Sequence, residues 1–572
     1  MENIFLITTL FIVFAAAIVG AVGARKLTIP MLLGYIAAGV VFGNVFPRWI
    51  DQRLLATIAD TGVILLLFAL GVEVSFQRLR KVITVIGSAA AVQILLSTVI
   101  FSVLFLLFRF APLPSLYLGL AASLSSTTVV VKLLSERGEL ESLPGTVLTG
   151  WLVVQDLAVI PIMTLLPSLV GGVDAPQIWS VGLAVGGSLV KAGFVIMLVI
   201  FLGKHGIPKL LSTVAGFGSR EVFLVTTVAI VFLSAVLMVV VGMPAALGAF
   251  IAGLLVSETS QHHAVFAEIR PLRDVFAVVF FVAIGMTIPL PFVFQWIGVL
   301  AFLAIVVCLV KWVIVMGLMR FLGYHRKTAF LVALGLTQMS EFGFIIARVG
   351  VNLKALSADH AIFLISLTFL TMFIGSPLLS RGHRLYYLWE KTFGKSLPKF
   401  FPQKEPDLLP AGAQMIEHHV VICGYGRVGK YVGRALFMAG IPFLVVDYNH
   451  TTVTSLRAQG LTVIYGDPAD PSVLAVAGVK KAKSLIVAIP DKHTQEMVVA
   501  NAQTLNKQIR IISRIHHEED QPRLKSLGVT HIVQPEFEAA IAIVERLLPD
   551  FGVGSEELPG KIARLKIEHG VG

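Results

Sequence analysis

The chain has 572 residues, of which 56% are hydrophobic and 14% charged, and its mean hydropathy of +0.87 lies above what a soluble globular domain carries. An entirely soluble protein is excluded. The formal net charge of +11 falls mostly in short loops between apolar runs, a pattern of membrane topology and not of a nucleic-acid surface, and the two cysteines, Cys308 and Cys423, supply neither a disulfide framework nor a zinc-ligand spacing.

The first apolar run, Ile4 to Val22, has no basic leader and no small-residue cleavage site, so a retained membrane helix is expected there instead of a signal peptide. About thirteen runs long enough to cross a hydrocarbon core of about 30 Å follow one another up to about residue 380. They begin near residues 4, 28, 55, 83, 115, 147, 179, 221, 244, 274, 296, 328 and 360, the second and ninth being short and containing Gly or Pro. Arg25/Lys26, Arg78/Arg80/Lys81, Lys204/Lys209/Arg220, Arg270/Arg273, Arg326/Lys327 and Arg381/Arg384 all fall on one side, which the positive-inside rule makes the cytoplasm. An odd number of spans then puts the N-terminus outside and the C-terminal tail inside a cell (inner or plasma) membrane.

Spans one to six and eight to thirteen show a weak symmetry of opposite orientation, the mark of an inverted-repeat secondary transporter. The fifth span of the first half carries Ser125-Ser126-Thr127-Thr128, and that of the second carries Thr337-Gln338-Met339-Ser340-Glu341. Polar clusters at matching places predict two broken, crossing helices. Their carbonyls and hydroxyls would replace water around an ion; ordinary hydroxyl bonding to helix carbonyls is the plainer alternative.

Charged groups within a span cost about 2.5 to 3.5 kcal/mol each and call for a partner or a task. Asp156, after Gln155, reads as a carboxylate that takes either a proton or a dehydrated monovalent cation: burial favours the proton, the cation favours the ionised form, and the two compete. Competition at one site opening alternately to each face makes an antiporter, with Lys311 as the charge partner. The alternative is a permanent Asp156 to Lys311 ion pair that only positions helices. Glu341 is either a charge balancer at the crossing or a second titrating group, and Lys191 is assigned to packing or snorkelling.

Residues 384–417, with Tyr386, Tyr387, Trp389, Lys395, Phe400, Phe401 and Pro402, read as an interfacial linker between a transporter domain, 1–383, and an α/β domain, 418–572. In the latter a strand from His418 to Cys423 runs into Gly424-Tyr425-Gly426-Arg427-Val428-Gly429 and a helix from Lys430. A second strand ends at Asp447, placed to meet a ribose hydroxyl. The glycines admit a phosphate to the helix N-terminus, Arg427 adds a contact, and strand ends at Gly466-Asp467 and Ala488-Ile489-Pro490-Asp491 complete the crevice. A module that kept the turn and only dimerises is the alternative; no catalytic constellation makes it a dehydrogenase, so a transporter and not an enzyme is expected.

Taken together these residues resemble the Kef-type branch of the monovalent cation/proton antiporter superfamily, joined to a regulator-of-potassium-conductance (TrkA-N) module. The likeness rests on Ile29-Pro30 with Gly34 and Gly39, Leu67 to Gly71, Gln155-Asp156, Phe280 to Met286, Lys311, Gln338 to Phe342, Gly424 to Gly429, Asp447 and Gly466-Asp467-Pro468. It implies an all-α membrane domain of the NhaA/NapA type followed by a Rossmann-like domain. It further implies a homodimer serving pH homeostasis, ion contacts from Gln155 and the crossing, K+ (or Na+) carried at Asp156, and an AMP- or NAD(H)-like regulatory nucleotide. Gln before the Asp resembles potassium-exporting members. Where glutathione-gated members carry an acidic loop, this chain has Phe266 and Arg270; it also stops at Gly572, without room for a second ligand-binding lobe. A sodium/proton antiporter of the same fold stays open, as does a nucleotide-gated channel, although no Thr-Val-Gly-Tyr-Gly filter is present. The expected partners are the bilayer, the cation and the proton, with no nucleic acid; a soluble ancillary regulator is left unidentified.

Overall fold

The computed structural model describes residues 2–27, 29–73, 86–140, 142–170, 206–240, 245–393, 417–515, 518–551, 553–554 and 556–568. The expected span near 179, with Lys191 and Lys204, lies outside them, as do Arg78, Arg80 and Lys81 and the linker residues from Lys395 to Pro402. The chain forms two compact units. The first comprises Met1–Leu133, Val147–Leu318 and Val332–Arg381, the second Leu134–Thr146, Met319–Leu331 and Gly382–Gly572.

The first unit is helical. Its helices are α1 (Glu2–Lys26), α2 (Met31–Val45), α3 (Gln52–Glu73), α4 (Ser88–Leu107), α5 (Pro112–Ser123), α6 (Thr127–Glu136), α7 (Leu143–Val170), α8 (Arg220–Val240), α9 (Ala245–Ser257), α10 (His262–Met286), α11 (Leu290–Phe321), α12 (Arg326–Gly335), α13 (Phe342–Asn352) and α14 (Ala358–Ser380); α6, α7, α11 and α12 also contribute residues to the second unit. Among the described residues seven helical stretches are long and apolar enough to cross a membrane: Ile7–Lys26, Ser88–Leu107, Pro112–Ser135, Leu143–Pro167, Arg220–Val240, Leu290–Phe321 and Ala358–Ser380. Four shorter apolar helices accompany them, two of them being the short Gly-containing α2 and α9.

Helices α1, α2, α3, α8, α9 and α10 pack on one another, whereas α5 packs on α4 and α13, and α13 on α14. The first bundle meets backbone to backbone. A Cβ on Gly39 would collide with the Val282 carbonyl and one on Gly285 with that of Ile36; Gly71 and Gly253 stand likewise against Phe250 and Phe68. In lipid, where apolar side chains gain nothing by leaving water, such close approach supplies the cohesion.

Two helices are interrupted at the expected places. Leu124 to Ser126 separate α5 from α6, and Leu336 to Glu341 separate α12 from α13. The breaks touch: Ser125 Oγ donates to the Leu336 carbonyl at 2.9 Å.

The second unit holds six parallel strands in the order β3-β2-β1-β4-β5-β6. They are β1 (Val420–Cys423), β2 (Phe443–Asp447), β3 (Val463–Tyr465), β4 (Ser484–Val487), β5 (Arg510–Arg514) and β6 (His531–Val533). The near-continuous apolar character of β1, β2 and β3 follows from burial on both faces. Helices α16 (Arg427–Met438), α17 (His450–Ala458), α18 (Pro471–Val476) and α19 (Lys492–Leu505) cross between them, and strand order reverses between β1 and β4, which is where an open parallel sheet binds ligand. The same unit includes α15 (Gly382–Phe393), a helix where the sequence suggested the start of a linker, and the segments 134–146 and 319–331.

Candidate functional site

Asp156 lies in α7, 3% exposed, and both carboxylate oxygens accept from Thr127 Oγ1, at 3.0 and 2.9 Å. Thr127 is the first residue of α6, so the carboxylate stands beside a helix N-terminus, whose dipole favours negative charge. Gln155 points elsewhere: its Oε1 accepts from the Ser125 backbone N–H at 2.9 Å and its Nε2 donates to Gln93 Oε1 at 2.6 Å. Ser126 Oγ accepts from the Val129 N–H at 3.3 Å, a local bond of the plain kind. Thr128 Oγ1 donates to Glu341 Oε1 at 2.7 Å, tying the start of α6 to the second break.

Lys311 is fully buried, yet it does not pair with Asp156 among the described residues. Its ammonium donates to the carbonyl oxygens of Leu124 at 2.6 Å and Gln338 at 2.9 Å, so the expected direct charge partnership is replaced by a cap on both breaks. The physical reason is that an interrupted helix leaves carbonyls that no N–H reaches, and three ammonium protons satisfy them. Both polar atoms of the Gln338 side chain and Glu341 Oε2 are buried with no protein partner among the described residues.

Asp156 lines a small enclosed cavity of about 10 Å³ with Leu67, Val159, Met163, Leu247, Phe250, Phe342 and Ile345. A cavity of that size is at the lower limit for admitting one water-sized guest. Ile345 also borders a cavity of about 630 Å³ that reaches Asp60 and Arg348, an ion pair with Nη2 to Oδ2 at 2.6 Å.

One residue at the centre was missed from sequence. Gln93 of α4 takes bonds from Trp151 Nε1 at 3.2 Å and from Gln155, and donates to the Ser123 carbonyl at 2.9 Å and Ser97 Oγ at 3.1 Å. A lone amide in the apolar run Ser88–Leu107 was the available signal.

In the second unit, β1 runs into Gly424, whose φ of +89 only glycine holds without strain. A Cβ on Gly429 would strike the Gly424 carbonyl, whereas Gly426 faces open space. A cavity of about 170 Å³ is bounded there by Gly424 to Arg427 with Asp447, Ala488 to Pro490, Gly138 and Ser142. Val428 and Gly429 belong to the first turn of α16 behind it. Asp447 is already engaged, Oδ2 by the Tyr425 N–H at 2.7 Å and Oδ1 by the Asn449 N–H at 2.8 Å; burial pushes its pKa above the usual carboxylate value against these bonds.

Asp467, expected with the nucleotide contacts, is committed otherwise. Its Oδ2 accepts from Lys327 Nζ at 3.1 Å and from Tyr387 Oη at 3.2 Å, while Lys327 also donates to Thr494 Oγ1 at 2.8 Å. A buried carboxylate needs a cation, and Lys327 supplies it. Burial pushes Asp467 up, but Lys327 and His325 hold it below the usual carboxylate value. Such a group stabilises the fold above its unfolded value of about 4 and loses that contribution as pH falls through the lower folded one. Hydrogen exchange across 319–331 is expected to stay slow at neutral pH and quicken, after correction for intrinsic rates, only below about pH 4.

Comparison with known proteins agrees with this geometry. Residues 12–381 match the family described as sodium/hydrogen exchanger, transmembrane, and residues 420–535 match the TrkA-N domain. The chain is 31% identical over 549 residues to YbaL of Escherichia coli (strain K12), by name a cation/proton antiporter candidate, covering 95% of this chain and 97% of that one. It is 29% identical over 566 residues to the glutathione-regulated potassium-efflux system protein KefC of Klebsiella pneumoniae subsp. pneumoniae, covering 97% and 87%. Among solved structures, the AMP-bound C-terminal domain of a Kef protein from Shewanella denitrificans is 27% identical and covers 26% of this chain and 91% of its own, with a TM-score of 0.24. The chain thus belongs to the transmembrane sodium/hydrogen exchanger family, as a cation/proton antiporter of the Kef type with a C-terminal TrkA-N domain.

Proposed function

We propose that this antiporter exports potassium in exchange for protons, the two competing for Asp156, and that an AMP- or NAD(H)-like nucleotide bound at Gly424 to Gly429 gates the exchange. The observation that carries the reading is the placement of Asp156: a carboxylate buried in the membrane unit, held by the first hydroxyl of a broken helix and lining a small cavity. Gln338 and Glu341, with polar atoms left unbonded at the second break, are the nearest further candidates for ion contacts, and Ser125, Gln155 and Lys311 hold the crossing in shape. Potassium is favoured by Gln155 ahead of Asp156; sodium is the runner-up. The working assembly is a homodimer in the inner membrane, N-terminus outside and TrkA-N domain in the cytoplasm.

The test is cation-induced collapse of a pH gradient in proteoliposomes, comparing potassium, sodium and lithium for the wild type and Asp156→Asn. Collapse by potassium in the wild type and silence in the variant support the proposal; response to sodium alone overturns the potassium assignment.

The nucleotide half has its own contrast. Gly426→Ala places a methyl in open space, so the domain is expected to fold as the wild type does while nucleotide affinity drops by about tenfold or more, because the backbone no longer approaches the phosphate. Gly429→Ala drives a Cβ into the Gly424 carbonyl and is expected to cost about 1 to 3 kcal/mol of domain stability. Calorimetric titration with AMP and NADH, beside thermal unfolding, separates the two.

A further inference from the structure

Glu139, between α6 and α7, His383, the second residue of α15, and Asp491, immediately before α19, meet inside the second unit. They are 7%, 6% and 4% exposed. One ligand atom from each, a carboxylate oxygen or a ring nitrogen, lies within 4.8 Å of the other two. The two ring nitrogens differ in what they meet. Nε2 lies 3.4 Å from Glu139 Oε2 and makes a hydrogen bond with it. Nδ1 stands 3.3 Å from Asp491 Oδ2, yet it has no hydrogen-bond partner among the described residues. The alignment is not that of a proton bridge. A ring whose proton is on Nε2 turns the Nδ1 lone pair toward an anion in a buried place, and a cation set beside the pair removes that conflict.

The spacing suits a metal ion. Two ligands held at about 2.1 Å by one tetrahedral ion stand about 3.4 Å apart, close to the 3.3 Å between Nδ1 and Oδ2. The three ligand atoms, all within 4.8 Å of one another, have at most about 1.4 Å to close onto that spacing. Their supports are in place. Asp491 is fixed by accepting from the His493 and Thr494 N–H groups, and the Glu139 carbonyl accepts from Ser142 Oγ at 2.6 Å and from its N–H at 3.0 Å. Such outer bonds orient ligands before the ion arrives. Nearby cations do not occupy the centre: Arg137 Nη2 pairs with Glu139 Oε1 at 3.0 Å, and Lys327 is spent on Asp467, Tyr387 Oη and Thr494 Oγ1.

We propose that Glu139, His383 and Asp491 bind one divalent transition cation of the zinc type, with a water in the fourth position. One imidazole and two carboxylates are a donor set for such an ion, and the two carboxylates balance its charge. Magnesium and calcium, which ask for six or more oxygens, suit the trio less. The ion cross-links three stretches that are far apart in sequence. Gly138 and Ser142, on either side of Glu139, and Ala488-Ile489-Pro490, just before Asp491, line the cavity at the glycine turn, so bound metal fixes the spacing of those two walls. The site itself stands whether or not that cavity takes a nucleotide.

The test uses the untagged full chain in lipid nanodiscs, stripped with EDTA, loaded with equimolar zinc, desalted and assayed for metal by mass spectrometry. The wild type is expected to retain about one zinc per chain, to retain no magnesium offered in the same way, and to give with cobalt the visible absorption of a tetrahedral ion. His383→Gln and Asp491→Asn are expected to keep less than about a tenth of that zinc. Glu139→Gln, whose amide oxygen can still accept from Nε2, should weaken binding by about tenfold or more. Thermal unfolding of each protein with and without zinc covers a variant that folds poorly: zinc should raise the wild-type midpoint more than that of any variant. A wild type that retains no zinc overturns the site and leaves an ordinary buried histidine. Equal retention by the wild type and all three variants overturns it as well, placing the metal elsewhere, for example at His262 and His263, whose rings lie 3.8 Å apart.

Discussion

Proteoliposomes carrying Asp156→Asn are expected to show no cation-induced collapse of a pH gradient, while the protein retains the wild-type fold. Asparagine matches aspartate in shape, and its amide oxygen can still accept from Thr127 Oγ1, which holds the carboxylate at 2.9 and 3.0 Å. What it cannot do is change charge. Under the proposed mechanism a side chain that never ionises has no reason to release a proton when a cation arrives, so coupling disappears and activity drops to the level of empty vesicles. Thermal unfolding in the same detergent supplies the control, with a midpoint near that of the wild type. A variant that transports normally would make Asp156 a structural residue and sink the mechanism.

Lys311→Met is expected to fail differently, losing stability together with transport. Methionine fills a similar volume but has no donor, so the carbonyls of Leu124 and Gln338, now served at 2.6 and 2.9 Å, would be stranded in a fully buried place. Each stranded acceptor costs about 1 to 3 kcal/mol, or about 2 to 6 kcal/mol for the pair. The unfolding midpoint should fall by at least about 5 °C. Lys311→Arg keeps the donors and should recover part of this loss despite its bulk. If the methionine variant melts with the wild type, water has replaced the ammonium at the breaks and the capping role is wrong.

The parts of this molecule that could be read from sequence are those whose physics is local. Gly424 to Gly429 and Asp447 lie within one strand, turn, helix and strand, and each residue answers a nearby geometric demand. The two helix breaks were legible because Ser125 to Thr128 and Thr337 to Glu341 are the densest polar clusters in runs that are otherwise mostly apolar. Partners brought from far along the chain were not legible. Nothing in the sequence around Lys311 says that its ammonium meets carbonyls rather than Asp156, since backbone acceptors leave no trace in residue identity. Asp467 sits in a motif that suggests nucleotide, but Lys327, which is 140 positions away, claims it. The grouping of 134–146 and 319–331 with the C-terminal residues escaped for the same reason, and so did the junction of Glu139, His383 and Asp491.

The glycine contacts of the first bundle set a limit on how the gene can vary. Where Gly39 meets Gly285 and Gly71 meets Gly253, each against a carbonyl of the facing helix, no rotamer can turn aside to admit a larger residue. Even alanine, the smallest change a single nucleotide can encode there, forces two backbones apart. A saturation library screened for the amount of protein reaching the membrane should therefore be emptiest at these four positions. Asp156, where only charge is lost, should tolerate many replacements in that screen and almost none in a screen for growth that depends on transport.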